Sequence, residues 1–168
     1  VYERHQLSEG RMKEKIKGEI GECWLRSAKI ARKAGQLQES YSFLLQAEKF
    51  DNPKIFLESA KLKWERGHST EAISALKKGL SDTFPEVTVA LELSDCKDKE
   101  LARALESMDR KGKGLRQLCA NGQLLLARYV EDAASVGQEA VRTFFDNAKD
   151  IVKNSDEIFF YQAKFMDK

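Results

Sequence analysis

Apolar residues recur at helical spacing between Gly21 and Leu80, and the same spacing returns 32 residues later (position 24 to position 56). Over residues 21–34, Trp24, Ala28 and Ala31 fall at i, i+4 and i+7, with Leu25 beside them, and so share one helix face. Arg26, Lys29, Arg32 and Lys33 fall mostly elsewhere. Gly35 predicts the stop, because glycine takes the left-handed cap conformation at little cost. Leu37, Tyr41, Leu44, Leu45 and Ala47 then mark a second helix over residues 36–48. So short a turn folds the two helices back as an antiparallel pair.

The pair is repeated. Trp24 returns as Phe56, Ser27-Ala28-Lys29 as Ser59-Ala60-Lys61, Gly35 as Gly67, Ser40-Tyr41 as Ala72-Ile73, and Leu44 as Leu76. Pro53 suits a first helical position, where its missing N–H would be unpaired in any case. Ile55, Phe56, Ala60 and Trp64 are the predicted inner face of this helix, and Gly67 its end. Ser69 is the predicted N-cap of a return helix carrying Ala72, Ile73, Leu76 and Leu80. Small residues at 28, 40, 60 and 72 allow close helix approach, with an aromatic four residues before Ala28 and Ala60. That alternation is tetratricopeptide-like, although the tetratricopeptide period is nearer ~34 and its Leu-Gly pair is absent here.

The flanks extend the pattern unevenly. Residues 1–20 carry only Leu7, Met12, Ile16 and Ile20 as apolar marks and read as a lead-in helix. Residues 82–114 break the period and read as a charged insertion or linker. Within it, Phe84-Pro85 stops the preceding helix and residues 87–93 are expected as loop. Leu101, Ala104, Leu105 and Met108 mark a surface helix over 95–110, and Lys111-Gly112-Lys113-Gly114 a connector. Residues 115–153 form a predicted third pair broken at Gly137, with Ala140 and Phe144 in the places of Ala72 and Leu76. Ser155 caps a last helix over 155–168, in which Ile158-Phe159 and Ala163-Lys164 repeat Ile55-Phe56 and Ala60-Lys61 at an offset of 103 residues. It reads as the first helix of a truncated fourth pair. The expected fold is all-α, a tetratricopeptide-like (TPR-like) α-solenoid of antiparallel helix pairs with a charged insertion in its middle.

Composition adds little drive toward a particular ligand. The 168 residues carry 29 basic and 27 acidic side chains, a net charge of +2, which gives no bulk attraction to nucleic acid or a membrane surface. No apolar run reaches membrane-spanning length. The chain does not start with Met and begins and ends in charged helical sequence, so it reads as a piece of a longer protein. Cys23, Cys96 and Cys119 are widely spaced and form neither a zinc motif nor a disulfide frame. The two histidines, His5 and His68, stand apart, with His68 in the Gly67 turn as a solvated residue. No phosphate-binding loop, dinucleotide fingerprint, metalloprotease helix, nucleophile elbow or protein-kinase catalytic motif occurs. The Arg26, Lys29, Arg32 and Lys33 stripe is interrupted by Glu39, Glu48, Glu58, Glu65 and Glu71 and reads as a solvated face. Trp24, Trp64 and Phe144 are expected in the core. The chain therefore predicts no catalytic, cofactor-binding or metal-binding residue of its own.

GECWLRSAKIARKAGQLQESYSFLLQA, and in particular Cys23-Trp24-Leu25, Ser27-Ala28, Ala31 to Gly35, Tyr41 and Leu44-Leu45, resembles the FAT region of phosphatidylinositol 3-kinase-related protein kinases, within them the ATR branch. The similarity continues in Glu58 to Lys61, Trp64, Gly67, Ala72-Ile73, Leu76, Lys78-Gly79 and Phe84-Pro85. It returns in Leu124-Leu125, Arg128 to Glu131, Phe160-Tyr161, Ala163 to Phe165 and Asp167-Lys168, while 92–114 departs from it. The resemblance implies a helical scaffold that braces the kinase domain of a nuclear serine/threonine kinase of the DNA-damage checkpoint. It implies ATP and magnesium in the parent kinase, an ATRIP-like adaptor and protein activators as partners, and contact with neighbouring helical repeats. It carries no catalytic residue onto this chain; the near-neutral charge and the interrupted basic stripe, for their part, predict no direct nucleic-acid or membrane contact. The alternative is a free-standing TPR-type adaptor binding a peptide in its groove.

Overall fold

In the computed structural model, residues 2–93, 97–112, 114–153 and 155–167 are described, the side chains of 2–8 and 97 excepted. The His5 and Leu7 side chains, Cys96 and Lys113 therefore lie outside the described residues. All regular structure among the described residues is helical. The helices are α1 (Tyr2–Lys33), α2 (Leu37–Ala47), α3 (Ile55–Glu65), α4 (Ser69–Thr83), α5 (Pro85–Glu92), α6 (Lys97–Lys111), α7 (Leu115–Asp132), α8 (Gln138–Ile151) and α9 (Asp156–Met166). A single 3₁₀ turn, Glu48–Phe50, follows α2. The chain divides into two compact units, one ending at Ala72 and the other beginning at Ile73, so α4 starts in the first and continues into the second.

The first unit is built on α1 and α2. Leu25, Ala28, Leu44, Ala47 and Leu62 form its buried cluster, with Trp24, Leu37, Phe43 and Ile55 half-buried around it. Trp24 meets Phe43 with ring centroids 5.9 Å apart. The small positions do what their size allows: Ala28, Ser40, Ala60 and Ala72 are all buried. Ser40 Oγ donates to the Ala28 carbonyl at 2.9 Å, a buried bond from α2 to the backbone of α1. The expected inner face of α3 is rotated. Leu57, Glu58, Ala60 and Leu62 are its buried residues, while Ile55, Phe56 and Trp64 are half-buried.

The turns of the repeat are the same structure twice. Gly35 and Gly67 have φ of +78° and +81°. Gly35 N–H donates to the Arg32 carbonyl and Gln36 N–H to the Ala31 carbonyl. Thirty-two residues on (35 to 67), Gly67 donates to Trp64 and His68 to Lys63 in the same pattern. Each is a Schellman cap, which closes the last carbonyls of one helix as the next begins.

Several boundaries differ from the sequence expectation. The lead-in segment and first repeat helix are one continuous helix, since Gly10 and Gly18 lower propensity without breaking the hydrogen-bond ladder. Helix α3 starts at Ile55, not Pro53. The Asn52 side chain accepts the Lys54 N–H at 3.0 Å and holds this stretch as a turn. Ser69 is the first residue of α4 and not its cap.

The stretch expected as loop over 87–93 is largely helix α5. Val87, Thr88 and Val89 favour strands locally, but Pro85 presets the first turn and Val87 and Ala90 are buried. Thr88 Oγ1 satisfies itself by donating to the Phe84 carbonyl at 3.1 Å. Helix α6 buries Leu101, Ala104, Leu105 and Met108 as its spacing predicts, and it packs on α5. Lys111 Nζ meets Glu86 Oε1 at 2.9 Å across that pair. Residues 82–114, expected as an insertion or linker, thus contain a helix pair of their own.

Helix α7 is buried on nearly every side, from Leu118 to Ala120, Gly122 to Ala127 and Tyr129 to Val130. It pairs with α8 through Val141, Phe145, Ala148 and Ile151. The expected register of α8 is off by one: Ala140 is exposed and Phe144 half-buried, while Phe145 is fully buried. The turn before α8 places Ala134, not Gly137, in the left-handed region, at φ 46°. Ala134 N–H donates to the Glu131 carbonyl and Ser135 N–H to the Val130 carbonyl, a third Schellman cap without glycine. Helix α9 docks on α8 through Ile158, 1% exposed, and through Phe165, whose ring centroid lies 5.5 Å from that of Phe145. Ala163, matched by sequence to the buried Ala60, is exposed.

Candidate functional site

The most developed polar site is a buried ion cluster between α1 and α3. Arg32 ends the inner face of α1, following Leu25 and Ala28 at i, i+3 and i+7, and is only 8% exposed. Its Nε and Nη2 donate to Glu58 Oε2 at 3.1 and 3.0 Å. Its Nη1 donates to Glu65 Oε1. Lys61 Nζ holds the other Glu58 oxygen, Oε1, at 2.9 Å. Burial pushes the Glu58 carboxyl up, but Lys61 and Arg32 outweigh it and hold the group below its ordinary value of 4.5. Burial likewise opposes the Arg32 charge, and Glu58 with Glu65 more than restores it.

Two outer contacts tie the same repeats. Glu22 of α1 accepts from Asn52 Nδ2 at 3.0 Å and from Lys54 Nζ at 3.2 Å. Arg66 donates to the Leu37 carbonyl at 3.3 Å, and its guanidinium lies 5.1 Å from the centre of the Tyr41 ring. Gly21 is a steric counterpart, because a Cβ there would meet the Phe50 Cβ at 2.7 Å.

The supposed solvated stripe is therefore split. Arg26, Lys29 and Lys33 are exposed, while Arg32 and Glu58 leave it to form the buried cluster. The signal was present in the sequence: Arg32 lies on the apolar face of α1. Charge alone had assigned it to solvent.

Groups able to do chemistry are dispersed. His68 Nδ1 meets only Glu71 Oε1, at 3.3 Å, with both side chains more than half exposed. Cys23 is exposed, and Cys119 is buried with its thiol pushed up to about 12 by desolvation, which leaves it unreactive. Among the described residues no group of His, Cys, Asp or Glu could hold a metal ion. Among them, too, no helix is long and apolar enough to cross a membrane. The arrangement can fix one helix against another.

Over 153 residues the chain is 29% identical to serine/threonine-protein kinase ATR of Drosophila melanogaster, covering 91% of this chain and 5% of that protein. It is 24% identical over 159 residues to serine/threonine-protein kinase ATR of Arabidopsis thaliana, covering 89% and 6%. It is 25% identical over 140 residues to protein kinase rad3 of Schizosaccharomyces pombe, covering 83% and 5%. The chain thus spans 5–6% of the length of these relatives. The profile of the FAT domain matches residues 5–168. With nearly the whole sequence matched and an all-α architecture of successive helix pairs, the chain belongs to the FAT domain family.

Proposed function

We propose that this chain is a scaffold segment of the FAT domain of an ATR-like serine/threonine kinase, where it braces the kinase domain and regulates its output. The observation that carries the reading is the similarity to ATR kinases over 83–91% of the chain. The buried Arg32–Glu58 pair supports it physically. A link between the first helices of consecutive repeats, α1 and α3, passes a displacement onward rather than absorbing it. In this reading the parent enzyme takes ATP and magnesium in a kinase domain outside this chain. It works in the nucleus in a DNA-damage checkpoint, with an ATRIP-like adaptor and protein activators. The chain contributes position and stiffness to that enzyme.

The test is Arg32→Met in the full-length kinase. The expected result is a several-fold fall in kcat with the KM for ATP unchanged. Unchanged kcat in a variant whose local helices are measurably loosened would remove the bracing role.

A further inference from the structure

On the second unit, α4, α5, α7 and α8 line a cleft of about 490 Å³, within the range that holds small ligands and peptide side chains. Its walls are apolar, with Leu80 and Leu126 buried and Phe144 half-buried. Gln123 also lines it, 6% exposed, and its Oε1 accepts no hydrogen bond. A buried acceptor without a donor is costly and rare, and it calls for a group that supplies one. The mouth is basic. Lys77 and Lys78 stand on it against the single carboxylate of Glu92, and among the described residues neither lysine is held in an ion pair. The Lys77 ammonium lies 5.8 Å from the centre of the Phe144 ring, so charge and apolar wall adjoin.

We infer that this cleft is a docking site for a short acidic peptide segment of a partner protein, which inserts one large apolar side chain and donates a backbone N–H to Gln123 Oε1. The apolar walls take the side chain, the orphaned oxygen takes the N–H, and Lys77 and Lys78 take flanking carboxylates. The site is independent of the Arg32 cluster, which lies in the other unit. Its test does not depend on kinase output.

The probe is a fluorescein-labelled acidic heptapeptide with one central phenylalanine, titrated into the full-length protein and read by fluorescence anisotropy. A control peptide carries lysines in place of the acids. The acidic peptide is expected to bind and the basic one not. Lys77→Glu with Lys78→Glu, exposed positions that leave the core alone, is expected to weaken binding about tenfold or more. Gln123→Leu is expected to weaken it about threefold to tenfold through the lost acceptor. Absence of binding, equal binding of the basic peptide, or full affinity in the lysine variant would overturn the proposal. So would full affinity of a folded Gln123→Leu protein, the result expected if water alone satisfies the oxygen.

Discussion

Arg32 and Glu58 show how one pair of residues can be misread by charge and corrected by position. Both are buried and joined by two hydrogen bonds, so removing one partner strands the other in a poorly solvated site. Arg32→Met is expected to cost on the order of 3–5 kcal/mol in a urea unfolding curve. Glu58 also fixes a pH dependence. Its carboxyl is held below 4.5 in the folded state, so its contribution is complete above the unfolded value and is lost as pH falls through the lowered folded value. Glu58→Gln should therefore flatten the acid limb of stability below about pH 5, measured by circular dichroism from pH 6 to pH 2. An unchanged acid limb would show that another carboxylate governs it. Ala134 offers a prediction of opposite sign. Its φ of 46° is strained for a residue with a Cβ, and Ala134→Gly should stabilise the protein by roughly 1 kcal/mol by thermal or urea melting. The sequence could not place this residue: Gly137 stood nearby as the expected break, and left-handed alanines carry no compositional mark.

At the scale of elements, the helices whose packing is local were legible and those fixed by distant neighbours were less so. The two glycine turns and the small positions 28, 40, 60 and 72 follow from sterics that the residue types already encode. Helix α5 did not, because Val87, Thr88 and Val89 favour strand locally, and burial of Val87 and Ala90 is needed beside the Pro85 start to decide for helix. The register of α8 failed for a similar reason. Phe144 and Phe145 are adjacent, and the sequence does not say which of them meets α7 and α9. Phe145→Ala is accordingly expected to cost about 3–5 kcal/mol and Phe144→Ala well under half of that, compared in parallel unfolding curves. Gly21 supplies the matching test of close approach between α1 and the turn after α2. Gly21→Ala should destabilise by about 1–3 kcal/mol despite alanine's better helix propensity, and Phe50→Gly in the same chain, which removes the opposing Cβ, should make the Gly21→Ala change cost less than it does in the wild-type background.

For the whole molecule, the 32-residue period (position 24 to position 56) points from the sequence to a scaffold, and the described structure adds a buried ion cluster that ties its repeats. The buried ion cluster was legible only in part: Arg32 stands on the apolar face of α1, but its partner Glu58 is identified only when α1 and α3 are set side by side. The family was legible, since the residues around Trp24 and from Ala31 to Gly35 carry it. The proposed function requires that stiffness in this segment be felt by the kinase domain of an ATR-like parent protein. Hydrogen–deuterium exchange of the full-length protein, wild type against Arg32→Met, measures that most directly. Faster exchange is predicted both in α1 to α3 and in amides of the kinase domain. Faster exchange confined to this segment, with the kinase domain unchanged, would contradict the account.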